Sequence, residues 1–314
     1  MIMKLYKKLN LMDKKVLFIK IIGFILLIGG LFSLFLVPAE FTAFYAFSEG
    51  GNFYYEGFGF GSLMFTFIIL NSMIYFAIAF FGIPLGIGNI TLKKWGLNLS
   101  LATLKTLLII GTALTISFLF SFELIRTLEI YQTLMILMFF LLFSIILPFF
   151  LIQFYKNSKA ERLFEDSDTA SYFAKQSPEK MTIILLNIFW IFVFYLFIFL
   201  NGVFPFLGEF IFRRDGTYLL SIGVFMLLVF TYLIYKNKNY AKYAMLVCYV
   251  LLFLTFVFTF FANSTNELLN MLNLPDYEME RVMPAFRIPA GIHLGFFFGI
   301  LLIIQTYLVL KNKK

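Results

Sequence analysis

Residues 156–180, KNSKAERLFEDSDTASYFAKQSPEK, divide the chain, because no other segment of this length is so free of apolar blocks. An apolar run of about 17–25 residues is needed to cross the hydrocarbon core of a bilayer. Runs of roughly this length lie on both sides of the segment, four before it and four after it: residues 16–37, 62–83, 106–122, 130–155, 181–200, 218–235, 244–262 and 288–310. The sequence therefore predicts two four-helix halves, residues 1–155 and 181–314, joined by a linker at 156–180.

The composition of the chain agrees with a membrane protein. Of its 314 residues 61% are hydrophobic and only 13% are charged, with a mean hydropathy of +0.92. Soluble domains carry about 25% charged residues. We expect an all-α, polytopic integral membrane protein with eight transmembrane helices. The two halves resemble each other weakly at their helix ends, which makes an internal parallel repeat a candidate arrangement.

The charges predict the orientation of this helix bundle. If both termini face the cytoplasm, 20 of the 25 Lys and Arg residues lie inside, as do only 6 of the 17 Asp and Glu residues. An excess of basic residues inside is the usual rule for membrane proteins. The net charge of +8 is thus a topology feature and no evidence for nucleic-acid binding. We expect a protein of the cytoplasmic membrane of a bacterium or archaeon, with the linker inside.

The first apolar run invites comparison with a signal peptide. Basic residues through Lys15 precede it, and it ends at Val37-Pro38-Ala39, where small residues would suit a cleavage site. Its length exceeds the roughly 7–15 residues of a typical signal-peptide core. We therefore expect a retained first helix.

Residues that carry chemistry are scarce in the predicted spans. Cys248 is the only cysteine and His293 the only histidine, and the apolar blocks contain no Asp or Glu. Metal sites and catalytic bases need several such groups close together. We predict no metal, no cofactor and no enzymatic activity. A histidine within a span is nevertheless a candidate for ligand or proton contact, and His293 lies two turns after Arg287, so both are candidate contact residues.

Glycines recur every four residues in two predicted helices. One set is Gly82 and Gly86, and the other is Gly291, Gly295 and Gly299. Small residues at this spacing allow the backbones of two membrane helices to approach closely. We predict that these glycines mark helix-packing faces, with the second set forming a glycine zipper against a helix of the same chain or of another.

The segment 41–60 follows the first predicted span and is rich in aromatic residues. It holds nine of them, with glycines and two glutamates between. Such a segment is typical of the membrane–water interface, and a sharper interpretation is a lid or docking surface on the outer face. In that case Tyr54, Tyr55 and Glu56 are the candidate contact residues.

Prolines set further expectations. We predict that Pro38 ends the first helix, that Pro84 breaks the second, and that Pro148 kinks the fourth. In the long outer loop 263–287, Ser264 and Glu267 form a capping-box pattern that predicts a short surface helix.

One resemblance arises along the first half. The run from Lys94-Trp95-Gly96 to Pro148, Tyr155 and Phe164 resembles the C-terminal part of small uncharacterised four-span bacterial membrane proteins. The resemblance extends over residues 17–164. It implies a four-helix unit and no activity, since none is assigned to those proteins.

Two functions fit these observations. The first is a non-enzymatic accessory or scaffold subunit of a membrane complex, whose partners are the lipid bilayer and either another membrane protein or a second copy of the chain. The alternative is a carrier of a lipid or other apolar ligand held between the two halves, because an apolar cargo requires no charged group within the membrane. A cavity between the halves would favour the carrier, and a filled interface would favour the subunit.

Overall fold

The computed structural model describes residues 2–47, 63–120, 130–164, 176–263 and 290–311. Almost all of these residues are helical. Seven helices in the described part of the chain are long and apolar enough to cross a membrane. The multi-pass helical membrane fold predicted from the sequence is therefore confirmed. The eighth predicted span corresponds to a helix whose fully described part, Gly295–Lys311, is shorter than the other seven.

The elements follow one another in a simple order. The helices are α1 (Ile2–Phe47), α2 (Leu63–Ile90), α3 (Lys94–Phe120), α4 (Ile130–Phe140, Leu141–Ile146 and Leu147–Lys156 in succession), α5 (Ser158–Glu161), α6 (Pro178–Phe199), α7 (Arg213–Tyr235), α8 (Asn239–Ala262) and α9 (Ala290–Lys311), with strands β1 (Phe204–Phe206) and β2 (Glu209–Ile211) between α6 and α7. The turn 91–93, the two described ends of the linker (156–164 and 176–180) and the turn 236–238 lie at one end of the bundle, here called the linker end. The two strands lie at the opposite end.

Two prolines that were expected to end helices lie inside them. Helix α1 continues through Pro38 to Phe47, and α2 continues through Pro84 to Ile90. Proline is tolerated within membrane helices because neighbouring helices and local adjustments satisfy the freed backbone groups. The predicted breaks were therefore wrong. Residues 41–47 of the aromatic segment belong to α1, and residues 48–60 lie outside the described part of the chain.

Helix α4 changes its winding ahead of Pro148. Residues Leu141–Ile146 are π-helical, and the Leu147 N–H donates to the carbonyl of Leu142, five residues earlier. A proline lacks the N–H for an α-helical bond and its ring crowds the carbonyl four residues before it, which here is that of Ser144. Wider winding relieves both problems. The sequence predicted a kink at Pro148, and the structure has a π-helical segment directly before it.

The two strands were not predicted from the sequence. β1 and β2 pair in antiparallel register, with Phe204 opposite Ile211. The two residues between them, Leu207 and Gly208, both have positive φ values, 48° and 99°, as a two-residue hairpin requires. Leucine rarely adopts this conformation, so the turn lacks the usual Asn-Gly or Asp-Gly pattern. Within the described residues, this hairpin is the only departure from an all-α fold.

The buried core joins the two predicted halves. Its largest cluster of apolar side chains comes from α6, α7, α8 and α9, and Ala113 of α3 belongs to it. Helix α3 also packs against α2 and α4. The described ends of the linker are folded onto the bundle: Ala160 and Phe164 are buried near Tyr155, and Gln176 is buried just before α6.

Candidate functional site

A cavity of about 480 Å³ lies at the junction of α2, α3, α6 and α7, towards the linker end. Its walls are formed almost entirely by apolar and aromatic side chains. The lining residues are Phe80, Phe81, Pro84, Trp95, Leu99, Gln176, Met181, Ile184, Leu185, Ile188, Leu228, Thr231, Tyr232 and Tyr235. Its volume is in the range of small-molecule binding sites, about 300–1,000 Å³. Helices of both predicted halves thus enclose one apolar space.

A second cavity continues the first along α6. It has a volume of about 250 Å³ and lies between α2, α3 and α6. Phe81, Leu185 and Ile188 line both cavities. The pair therefore forms an elongated apolar groove along the interface between the halves, a shape that suits a chain-like ligand. We refer to the two cavities together as the interhelical groove.

The interhelical groove is partly open at the side of the bundle. Phe80 on α2 and Tyr232 on α7 line it from opposite sides, and their side chains are 57% and 59% exposed. At the linker end α2 and α3 touch at the backbone: a methyl group on Gly88 would lie 2.6 Å from Cα of Gly96 and 3.1 Å from the Trp95 ring.

A buried ammonium group lies beside this cavity. Lys180 is only 7% exposed, and its Nζ donates to Oε1 of Gln176 at 2.5 Å, to the carbonyl oxygen of Tyr235 at 3.0 Å and to Oδ1 of Asn237. Gln176 and Tyr235 both line the cavity. Because the three acceptors are neutral oxygens, they satisfy the hydrogen bonds of the lysine and leave its charge uncompensated.

The start of α6 is also tied to α3. Nζ of Lys105 forms an ion pair with Oε1 of Glu179, and Nδ2 of Asn98 donates to the Gln176 carbonyl at 3.2 Å. Ser177 caps the helix by accepting from the Lys180 N–H at 3.3 Å. These bonds hold the end of the linker in place.

A polar network touches the cavity farther along α6. Asn187 donates to Oγ1 of Thr231 at 3.0 Å and accepts from the hydroxyl of Tyr249. Thr231 lines the cavity, whereas Asn187 and Tyr249 are buried behind it. The hydroxyl of Thr231 already donates to the carbonyl of Leu227. This network joins α6, α7 and α8 and leaves the cavity wall mainly apolar.

Few side chains that carry polar groups line the cavity. Within the residues that the structure describes, no group of three or more His, Cys, Asp or Glu side chains could hold a metal ion. The residues of the cavity wall that carry polar groups are Trp95, Gln176, Thr231, Tyr232 and Tyr235. This set can orient a ligand by hydrogen bonds.

The glycines predicted to mark packing faces differ in their surroundings. Gly82 and Gly86 face α1: a methyl group on Gly86 would lie 2.7 Å from the backbone nitrogen of Leu27. On α9, a methyl group on Gly295 would meet only Val257 at 3.8 Å, and one on Gly299 would meet Phe253 at 3.4 Å. The two α9 glycines therefore face side chains of α8 at ordinary contact distance. The side-chain surroundings of Gly291 lie outside the part of the chain that the structure describes.

The other predicted contact residues are not described. Tyr54, Tyr55, Glu56 and Arg287 lie outside the described residues, and of His293 only the helical backbone is described. Sequence reasoning missed the cavity and Lys180, which it assigned to the end of a solvated linker. The available signal was the position of Lys180 directly before the apolar run 181–200, which places the ammonium against the packed helix ends.

Comparison of the chain with protein-family models, with curated proteins and with solved structures finds no match.

Proposed function

We propose that this protein is a multi-pass membrane protein that binds a lipid or another apolar ligand in the interhelical groove between its two halves. The observation that carries the proposal is the apolar cavity of about 480 Å³ that α2, α3, α6 and α7 enclose. Burial of apolar ligand surface is favourable by roughly 25 cal/mol per Å², so such a wall binds hydrocarbon without charged groups.

The lateral opening supports a ligand that arrives from the bilayer. The exposed rings of Phe80 and Tyr232 border the cavity, and in a membrane this part of the surface faces acyl chains. The second cavity of about 250 Å³ extends the site along α6. A chain-like ligand would therefore lie roughly parallel to α6, with one end near Lys180.

The orientation of the protein in the membrane is part of the same proposal. The excess of basic residues on the predicted inner segments supports eight spans, with both termini and the linker end facing the cytoplasm of a bacterium or archaeon. The ligand would then enter from the inner leaflet. The scaffold-subunit interpretation stays a prediction, and it is tested by the proteins that co-purify with the chain in a gentle detergent.

A cavity-filling variant tests ligand binding. Ile188 lines both cavities, so Ile188→Trp places an indole in the space that the ligand would occupy. We expect the purified variant to lose most of the lipid that native mass spectrometry detects on the wild-type chain, with at least a fivefold lower occupancy. Ile222→Trp is the matched control, because Ile222 is 57% exposed on α7 and does not line the cavity.

Equal lipid occupancy in wild type and in both variants would contradict the proposal, since binding would then occur on the outer surface of the bundle. Melting temperatures measured for all three proteins show whether the Ile188 variant is folded.

A further inference from the structure

We propose that the ligand of the interhelical groove is an anionic amphiphile, whose negatively charged headgroup binds Lys180 while its acyl chain fills the apolar cavity. This inference deepens the proposed function and rests on it. The shared ligand chemistry is a phosphate or carboxylate group attached to a long hydrocarbon chain.

The first argument is the state of the Lys180 ammonium. Its side chain is 7% exposed, and its three hydrogen-bond partners are the neutral oxygens of Gln176, Tyr235 and Asn237. Among the described residues no carboxylate forms an ion pair with it. A buried charge without a counter-charge is costly. An anion supplied by a ligand would remove that cost.

The second argument is the charge around Lys180. The nearest acid along the chain, Glu179, is already paired with Lys105. Lys242, 9% exposed near the start of α8, lies close enough to repel Lys180 electrostatically. The local balance of buried charge is therefore positive at this end of the cavity, and it is complementary to an anion.

The third argument is the position of the ammonium group relative to the cavity. Two of its acceptors, Gln176 and Tyr235, line the cavity wall. Nζ does not line the cavity itself, but it is hydrogen-bonded directly to these two wall residues. Its third acceptor, Asn237, is an exposed residue of the turn between α7 and α8, with a positive φ of 61°. An anionic oxygen that enters from the cavity would replace Oε1 of Gln176, which lines the wall, because a charge-assisted hydrogen bond is about twice as strong as a neutral one.

The position of Lys180 also determines how the headgroup and the acyl chain of the ligand are arranged along α6. Apolar side chains dominate the wall from Met181 to Ile188, and the ammonium lies at the start of α6, beside Met181. A headgroup bound at Lys180 therefore leaves the acyl chain to run along α6 towards the second cavity.

The test compares ligands with identical acyl chains and different headgroups. The full-length chain in detergent is titrated with dioleoyl phosphatidylglycerol, oleic acid, dioleoyl phosphatidylcholine and dioleoylglycerol, and binding is measured by native mass spectrometry. We expect an anionic ligand to bind at least about tenfold more tightly than the zwitterionic and neutral ones. Preference for phosphatidylglycerol identifies a phospholipid, and preference for oleic acid identifies a fatty acid.

Two substitutions then assign the preference to one residue. Lys180→Gln should abolish the tenfold preference, and Lys180→Arg should retain it because the charge is kept. Lys238→Gln is the matched control: it removes the same charge from an exposed position of the neighbouring turn and should leave the preference unchanged.

Three results would overturn the inference. Equal binding of all four ligands to the wild-type chain shows that the groove binds hydrocarbon without selecting charge, which leaves the proposed function intact. A preference that persists in Lys180→Gln places the anion elsewhere. No binding of any ligand contradicts the proposed function as well. The wild-type comparison decides the question of charge even if Lys180→Gln does not fold.

Discussion

Single polar side chains join helices at the linker end of the bundle. The hydroxyl of Tyr155 on α4 donates to Oδ1 of Asn89 on α2 at 2.9 Å, and Nδ2 of Asn89 donates to Oγ of Ser100 on α3 at 3.0 Å. All three residues are buried. One asparagine therefore connects three helices. Removal of one member leaves a buried polar atom of its partner without a hydrogen bond.

Tyr155→Phe tests this network. The substitution keeps the ring and leaves Oδ1 of Asn89 unsatisfied, which should lower the free energy of unfolding by about 1–3 kcal/mol. Thermal unfolding in detergent measures the effect. Tyr240→Phe is the control, because the Tyr240 side chain is 62% exposed. Similar melting temperatures for the two variants would show that the hydrogen bond contributes nothing.

Residues of this kind are hard to assign from sequence alone. Asn89, Ser100 and Tyr155 lie on separate helices, and nothing in their local pattern indicates that they meet. Lys180 posed the same difficulty: a lysine at the end of a polar linker is usually solvated, and only the packing of α6 against α7 buries it.

Helices α1 and α2 pack closely at their glycines. Gly23 and Gly30 of α1 lie against Gly86 and Ile83 of α2. A methyl group on Gly30 would lie 2.9 Å from the backbone nitrogen of Ile83, whereas one on Gly29 would have no atom within 4 Å. Close packing of backbones replaces the hydrophobic effect as the main force between helices in lipid.

Substitution of Gly29 and Gly30 by alanine distinguishes the effect of helix packing on stability from the effect of helix propensity. Gly30→Ala forces the helices apart and should cost about 1–3 kcal/mol as overpacking. Gly29→Ala should be neutral or stabilising by up to about 1 kcal/mol, because alanine favours the helix. Unfolding in detergent provides both values. A loss of stability in Gly29→Ala equal to that in Gly30→Ala would contradict the packing shown here.

The sequence predicted seven of the helices well, because length and apolarity are sufficient signals for membrane spans. Its errors lie at the ends of elements. Pro38 and Pro84 were expected to end helices that continue past them, since the rule for soluble helices is weaker where neighbouring helices support the backbone. The hairpin was missed because Leu207 occupies a turn position that usually requires glycine or asparagine.

At the scale of the whole molecule, the orientation in the membrane is a separate prediction. It comes from the distribution of basic residues and places the linker inside and the loop 263–287 outside. Cysteines introduced at Ser158 and at Ser264 in a Cys248→Ala background should react with a membrane-impermeant reagent from the inside and from the outside respectively. Labelling of both positions from the same side would refute the eight-span arrangement.

The candidate site could be predicted only in outline. An apolar ligand held between two halves was one of two functions inferred from the sequence, on the ground that an apolar cargo requires no charged group within the membrane. The cavity itself depends on how far α2 and α7 stand apart, which is a property of tertiary packing. The distance between α2 and α7 cannot be inferred from the periodicity or the composition of the sequence.

The central claim is that an apolar chain occupies the interhelical groove, and photo-crosslinking tests it most directly. The protein is reconstituted with a phospholipid that carries a diazirine near the end of its acyl chain, irradiated, digested and analysed by mass spectrometry. The account predicts strong labelling of cavity-lining residues such as Phe81, Leu185 and Ile188, above that of the exposed faces of α1 and α4, and its loss in Ile188→Trp. Labelling confined to α1, α4 and other lipid-facing surfaces, with none on the cavity wall, would contradict it.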